Sequence, residues 1–299
     1  MSFKQFQITI IANCLLLLAS SVWADPQTVE SKPDFLRLRR NDAKQLVALE
    51  TVIASYTGQV HGKEVLVDLV GAVHIGDKAY YDKLNKVFET YDAVLYELVA
   101  PRDTTPTSGQ RSAHPVSFLQ LTMKNMLSLQ FQLDCVDYSK KNFVHADMTP
   151  EEFSQSMTTR GESMTQMFLR MFGQSIAMQA RDPAREGDAQ LLSALFAKPE
   201  DRSLRLKRVM AEQFEDMEAA TAILDGPEGS TIVTERNKAA LRILKQQLES
   251  GRARIAIFYG AAHLPDMEER LASDFQLKRT GTEWLTAWDL SGEASDTSE

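Results

Sequence analysis

The chain carries one short pattern twice, as LVDLVGAVHIGD at residues 66–77 and as IAIFYGAAHLPD at residues 255–266. In each copy an apolar run is followed by Gly-Ala-x-His, and an Asp comes three residues after the His. Such a run predicts a buried strand, and the Gly lets the backbone turn tightly after it. The repeat therefore predicts two related units, each made of a strand, a Gly-x-x-His turn and a helix.

Around the first copy the sequence predicts a hairpin and a crossover. Residues 46–56 and 64–70 are β-branched runs joined by a stretch with two glycines, which is typical of a hairpin. Residues 77–90 have a helical rhythm, and the apolar run at residues 93–98 indicates a short strand. Strand, helix and strand with short links predict a right-handed crossover and a parallel pair.

Around the second copy the pattern predicts a helix, a buried strand and another helix, at residues 235–249, 254–259 and 266–273. Thr234 is the expected cap of the first of these helices. The end of the domain, residues 275–290, predicts a closing hairpin around Gly281. The predicted fold class is therefore α/β, with a mixed sheet core built from the two strand–Gly-x-x-His–helix units and a helical insertion.

The predicted insertion covers residues 116–225, where nearly every segment has helical periodicity. Five methionines recur there at spacings of seven, three, four and seven residues, at Met157, Met164, Met167, Met171 and Met178. Such a stripe is typical of the core seam of a helical bundle. A pliable lid that faces a substrate is the alternative, because Met side chains adapt to varied ligands.

Composition excludes several classes of partner. The 299 residues are 43% hydrophobic and 25% charged, with 33 Lys and Arg against 41 Asp and Glu and a net charge of -8. No Lys/Arg-rich run breaks this balance, so nucleic acid and anionic membrane surfaces are not expected partners. Two cysteines make neither a disulfide framework nor a Cys-rich zinc site.

The two ends of the chain differ in character from its middle. Residues 1–24 contain a short apolar run that ends in Val-Trp-Ala, which predicts a cleaved secretory signal and hence a periplasmic or extracellular protein without an integral membrane segment. Residues 25–45 are the predicted leader into the domain, residues 46–290 the α/β domain, and residues 291–299 a disordered acidic tail.

The two motif histidines are the expected centre of the chemistry. His74 and His263 each follow a strand at its carboxyl end, where α/β sheets place their sites. Glu97 ends the strand after the first helix and is the expected third ligand. Two imidazoles and a carboxylate suit a divalent transition metal ion of unspecified identity. Asp77 and Asp266 are expected either to cap the following helices or to orient the histidines.

Three more polar residues are candidates for the same site. Glu235 is a possible general base or further ligand, although an acid at a helix N-terminus is also simply favoured by the helix dipole. Arg236 is a possible holder of a substrate carboxylate or a developing oxyanion. Asp147, after the apolar Phe143 and Val144, could add a further carboxylate.

These motifs, in this order, resemble the TraB/PrgY/GumN–Tiki family. The resemblance is carried by the paired Gly-x-x-His motifs, Tyr96-Glu97, FVHAD at residues 143–147 and Glu235-Arg236-Asn237, and it covers most of residues 46–290. It implies an α/β core with a helical insertion and a metal-dependent hydrolase related to the Tiki peptidases. It also implies that His74, His263 and Glu97 belong to the metal site and that the substrate is a peptide or protein.

Two other functions remain open. One is a non-catalytic protein that sequesters a peptide or haem in the same cleft, which a carboxylate base beside the histidine pair would argue against. The other is an interaction protein that binds through the methionine stripe and whose repeat is only structural. In that case the two motif histidines would lie far apart.

Overall fold

The computed structural model describes residues 35–102, 104–106, 127, 129–163, 165, 193–194, 196–198, 201–212 and 229–292. The predicted signal segment, most of the methionine stripe and most of the acidic tail lie outside the described residues. Within the described residues, no helix is long and apolar enough to cross a membrane.

Nine strands occur in the described residues: β1 (Leu36–Arg40), β2 (Leu46–Val60), β3 (Lys63–Ala72), β4 (Ile75–Gly76), β5 (Ala93–Tyr96), β6 (Gln130–Phe131), β7 (Phe143–His145), β8 (Arg254–Gly260) and β9 (Lys278–Asp289). The α-helices with defined bounds are α1 (Lys78–Phe88), α2 (Gln132–Cys135), α3 (Pro150–Thr159), α4 (Arg236–Glu249) and α5 (Leu264–Ser273). Residues 201–212 are also helical.

One mixed sheet forms the core, which confirms the predicted α/β fold class. Its strand order is β1-β2-β3-β8-β5-β7, with β9 paired to β2. The strands β3, β8, β5 and β7 are parallel neighbours, while β1, β2, β3 and β9 pair antiparallel. The parallel strands β5 and β8 are almost wholly buried, as expected for strands covered on both faces.

The predicted hairpin around β2 and β3 is present, but the predicted parallel pair is separated. The strands β3 and β5 are not neighbours, because β8 from the far end of the chain pairs with both of them. The repeat explains this arrangement: the two strands that precede the Gly-x-x-His turns, β3 and β8, lie side by side in register from Leu66 and Arg254 to Ala72 and Gly260. Both motif turns therefore leave the same edge of the sheet.

Three local predictions are wrong, each because tertiary pairing outweighed a local signal. Residues 278–289 form one strand along β2, and Gly281 lies opposite Ser55 next to a register shift, so this glycine marks an irregular pairing instead of a turn. Residues 36–40 of the predicted leader form the edge strand β1, where Leu36 is buried. The predicted helical segment 116–225 also contains β6 and β7, and β7 belongs to the central sheet.

Candidate metal centre at the carboxyl ends of the parallel strands

Four neighbouring parallel strands deliver one polar residue each to the same edge of the sheet. His74 lies shortly after β3, His263 after β8, Glu97 directly after β5 and Asp147 shortly after β7. The carboxyl ends of parallel strands are the usual position of a site in α/β proteins. The chain thus brings residues that are up to 189 positions apart to one place through strand order alone.

Glu97 is the centre of this cluster. Its Oε1 accepts a hydrogen bond from Arg236 Nη2 at 2.7 Å, and its Oε2 accepts one from the backbone N–H of Gly260 at 2.8 Å. A Cβ on Gly260 would lie 3.3 Å from that Oε2, so the first residue of the second motif leaves room for the carboxylate. Burial by itself would raise the pKa of Glu97, but its interactions with His263 in the protonated form, with Arg236 and with His74 outweigh burial and lower the pKa to about 2.

Arg236 donates hydrogen bonds to the carboxylates of both Glu97 and Asp147, and we call this arrangement the Arg236 clamp. Its Nε and Nη2 donate to the two oxygens of Asp147 at 3.0 and 2.6 Å, and Nη2 also reaches Glu97. The Asp147 side chain is fully buried and that of Arg236 is 11% exposed. Burial alone would lower the pKa of Arg236, but the bond to Asp147 and the charges of Glu97 and Asp147 raise it instead. This bidentate geometry is the one in which Arg holds carboxylates most firmly.

A π-helical turn places Arg236 at the start of α4. Residues Thr231–Glu235 form this turn, and the Ser230 hydroxyl accepts a bond from Val233 N–H at its beginning. The prediction that Thr234 caps the helix is therefore wrong, because Thr234 lies inside the π turn and is buried. Turns of this kind are rare and often occur at functional sites.

His263 lies beside Glu97 and is held by α4. Its Nε2 is 3.6 Å from Glu97 Oε1, and its Nδ1 is 2.7 Å from Asn237 Oδ1. The ring also meets Tyr259 edge to face, with 5.3 Å between centroids. Burial lowers the pKa of His263 below its usual value of 6.5, and the Arg236 charge adds to this effect, whereas the Glu97 carboxylate opposes it. The imidazole is therefore favoured in its neutral form at neutral pH.

His74 is near this cluster without touching it. It is exposed, its Nδ1 is 3.3 Å from Gln132 Oε1, and its backbone carbonyl accepts a bond from Gln132 N–H. Its charge nevertheless acts on the pKa of both Glu97 and His263. The histidine of the first motif is thus within electrostatic range of the cluster, and its side chain is more exposed than that of His263.

The remaining candidates lie around this centre with partners of their own. Glu235 pairs with Lys238 at 2.8 Å and with Arg160 at 3.6 Å. Within the described part of the chain its ion pairs are therefore with these two cations, and none of its hydrogen bonds or ion pairs is with Glu97 or His263.

The two motif aspartates have different surroundings. Asp77 precedes α1 without a side-chain cap bond, and its two oxygens accept from Lys207 Nζ and Asp289 N–H, both at 2.6 Å. Asp266 lies in the first turn of α5 and accepts from Asn237 Nδ2 and Arg270 Nε, both at 2.8 Å. The Asp of the second motif thus accepts a hydrogen bond from the amide that holds His263, whereas the Asp of the first motif accepts one from a backbone N–H at the end of β9.

The His263–Glu97 pair has the chemistry of two metal ligands. Two ligands bound at about 2.1 Å in a tetrahedral arrangement lie roughly 3.4 Å apart, close to the 3.6 Å between Nε2 and Oε1. Among the residues that the structure describes, no three His, Cys, Asp or Glu side chains are close enough together to enclose an ion. The donor types fit a divalent transition metal, and two of the three predicted donors, His263 and Glu97, lie 3.6 Å apart.

No role was predicted from the sequence for three residues that shape this site, although Asn237 belongs to the Glu235-Arg236-Asn237 motif. Asn237 and Gln132 each place an amide oxygen against a motif histidine, and Tyr259 donates to the Ala146 carbonyl at 2.5 Å and so joins the ends of β8 and β7. Asn237 is fully buried in the first turn of a helix. The sequence signal for Asn237 was its position as a polar residue on the otherwise apolar face of the helix predicted at residues 235–249.

No family model matches the chain, and no curated protein or solved structure is significantly similar to it. The motif resemblance to the TraB/PrgY/GumN–Tiki family therefore stays a prediction.

Proposed function

We propose that the protein is an exported, metal-dependent hydrolase that cleaves a peptide or protein substrate. The observation that carries this proposal is the pair of acceptors at the centre of the cluster, where His263 Nε2 and Glu97 Oε1 face each other at 3.6 Å. The hydrolytic chemistry, the class of substrate and the periplasmic or extracellular location rest on the motif resemblance and on the predicted signal segment.

The charges of the cluster support a bound cation. Glu97 and Asp147 bring two negative charges and Arg236 brings one positive charge, all of them largely buried. Because burial lowers the pKa of His263, this residue does not supply the missing positive charge at neutral pH. A buried negative charge is costly unless a cation compensates it, and a cation next to Nε2 and Oε1 would do so.

In this proposal His263, Glu97 and His74 hold the ion. When bound, such an ion supplies a Lewis acid and lowers the pKa of a water molecule toward neutrality. Arg236 keeps the Glu97 carboxylate ionised and oriented, and its Nη1 is not used in the bonds to Asp147 and Glu97. That group can donate to an oxyanion of the substrate. Glu235 would act as the general base after leaving Lys238 and Arg160.

A second candidate function is binding without turnover, as in a protein that sequesters a peptide or haem. The positions of the carboxylates favour it: both Asp147 oxygens are held by Arg236, and Glu235 faces Arg160 and Lys238. A hydrolase needs a group that takes up a proton near the reacting water. The two functions therefore differ in whether Glu235 moves to the cluster when substrate binds.

The test is a metal analysis of protein purified without a His tag, together with a digest of a generic peptide library. We expect about one divalent transition metal ion per chain and cleavage that stops in His263→Ala and Glu97→Ala. The matched control is His61→Asn, because His61 is exposed on the turn between β2 and β3 and its left-handed backbone suits Asn. Stoichiometric metal without cleavage would favour binding alone, and protein without metal would contradict both the site and the hydrolase.

A further inference from the structure

The side chain of Asn237 is completely buried and touches His263 at two points. Its Oδ1 lies 2.7 Å from the His263 Nδ1, and its Nδ2 donates to the His263 backbone carbonyl at 2.9 Å. The same Nδ2 donates to Asp266 Oδ2 at 2.8 Å. One amide therefore meets the imidazole, the main chain and the acid of the second motif.

These contacts fix which end of the amide faces the ring. A backbone carbonyl and a carboxylate only accept hydrogen bonds, so the two hydrogens of Asn237 Nδ2 are committed to them. The Oδ1 must then be the atom that faces His263, and since it only accepts, His263 Nδ1 must carry a proton. In the neutral imidazole the lone pair is then on Nε2, the atom that faces Glu97.

Asp266 and Arg270 hold the Asn237 amide in this orientation, so that its oxygen and nitrogen cannot exchange places. Asp266 accepts from Arg270 Nε at 2.8 Å on the oxygen that also binds Asn237. A turned amide would set its oxygen against this carboxylate and against the His263 carbonyl, two repulsive contacts in a buried place. The chain from Arg270 through Asp266 to Asn237 thus has one consistent direction of hydrogen bonding.

The first motif has a weaker version of the same contact. Gln132 Oε1 is 3.3 Å from His74 Nδ1, and Gln132 Nε2 donates to the Tyr138 hydroxyl at 2.9 Å. A hydroxyl can donate as well as accept, so this contact does not fix the amide, and His74 is exposed. Of the two motif histidines, only His263 faces an amide whose orientation is fixed by groups that accept hydrogen bonds and cannot donate them.

We propose that Asn237 is a positioning residue that holds His263 as the Nδ1–H tautomer and presents its Nε2 lone pair toward Glu97. The tautomer follows from the hydrogen bonds alone, and its consequence for metal affinity rests on the proposed function. Groups that orient a ligating imidazole typically contribute a factor of 10 to 100 to metal affinity. Asn237 thereby acts through His263 and does not itself bind the ion.

The experiment records the imidazole ¹⁵N resonances of the metal-free full chain at pH 8, with His263 assigned by its absence in His263→Ala. We expect the wild-type protein to show the Nδ1–H tautomer. In Asn237→Ala the Nε2–H form should become populated, because Nε2 can then donate to Glu97. Asn237→Asp should keep the wild-type tautomer, since a carboxylate accepts from Nδ1–H as the amide oxygen does.

The matched control is Asn142→Ala, which removes, just before the amino end of β7, a partly buried amide whose Nδ2 donates to two backbone carbonyls. It should leave the His263 resonances unchanged, while Asn237→Ala should lower Zn²⁺ affinity by about 10- to 100-fold. An Nε2–H tautomer in the wild-type protein, or an unchanged tautomer in Asn237→Ala, would overturn the proposal. The expected tautomers without Zn²⁺ binding would support the positioning role and contradict the proposed function.

Discussion

At the scale of single residues, Arg236 determines whether Glu97 and Asp147 can share one buried place. It is the one cation that contacts both of these carboxylates among the described residues. Its role could be foreseen only in part: the sequence indicated a functional Arg at a helix start, and an oxyanion or a substrate carboxylate was the expected partner. The partners observed are two acids of the chain itself, which only the strand order brings within reach.

Replacement of Arg236 by Met should therefore destabilise the protein strongly. The substitution leaves two carboxylates buried without their cation, and breaking such a pair on one side costs roughly 3–5 kcal/mol. Urea unfolding at pH 7 measures the change, with Arg242→Met as the control because Arg242 is exposed on the same helix. A loss of less than 1 kcal/mol in Arg236→Met would show that the clamp contributes little to stability.

Acid should also weaken the fold through Glu97. Its pKa falls from 4.5 in the unfolded chain to about 2 in the folded protein. The stability contributed by this group is therefore complete above pH 4.5 and is lost as the pH falls toward 2. In metal-free protein, the difference in unfolding free energy between wild type and Glu97→Gln should shrink from pH 5 to pH 3. An equal difference at both values would contradict the proposed ionisation of Glu97.

The His263 imidazole adds to the acid sensitivity at a higher pH. Because its folded pKa lies below the ordinary 6.5, the unfolded chain takes up this proton first, and stability falls once the pH drops below about 6.5. The two residues therefore lower stability in successive pH ranges. The sign is the same for both because both are held with a depressed pKa.

At the scale of elements, the π turn before α4 positions Arg236 and therefore the clamp that Arg236 forms with Glu97 and Asp147. Gly229 precedes it with φ of +71°, and a Cβ there would lie 2.4 Å from Thr234 Oγ1. The periodicity of residues 235–249 predicted the helix α4. It did not predict the π turn before α4, because nothing in the local sequence pattern distinguishes such a turn from an ordinary helix start.

Substitution of Gly229 by Ala should both destabilise the protein and disturb the site. The left-handed backbone costs on the order of 1 kcal/mol for any side chain, and the clash with Thr234 adds to it and shifts the turn that carries Arg236. Gly161→Ala is the matched control, because Gly161 has φ of +66° and no atom within 4 Å of the added Cβ. Thermal unfolding and Zn²⁺ titration should show a larger loss in Gly229→Ala, and equal losses would mean that the turn is not coupled to the site.

At the scale of the whole molecule, the repeat predicted the edge of the sheet where the cluster lies. The Gly-x-x-His pattern places both turns after neighbouring parallel strands, and the mixed sheet follows from the same units. The remaining topology was not accessible from local patterns: β7 lies in a segment with helical rhythm, and β9 replaces a predicted hairpin. Long-range pairing decides both cases, since short apolar runs are compatible with either structure.

The repeat is also less symmetric in space than in sequence. His263 is buried and locked by Asn237, while His74 is exposed and holds a longer contact to Gln132. The two motif aspartates differ in the same way, since Asp266 supports its histidine and Asp77 binds Lys207 and a strand end. In the proposed site the second motif therefore supplies the buried, hydrogen-bonded histidine and the first motif the exposed one.

Anomalous diffraction at the zinc edge, from crystals of the tag-free protein grown with Zn²⁺, tests directly whether His263, Glu97 and His74 bind one ion. We expect one strong peak within bonding distance, about 2.0–2.2 Å, of His263 Nε2 and Glu97 Oε1, with His74 turned inward as the third protein ligand. The ring nitrogens of the two histidines would then lie roughly 3–5 Å apart. A peak elsewhere, or an ion at this position with His74 still directed to Gln132, would contradict the shared site.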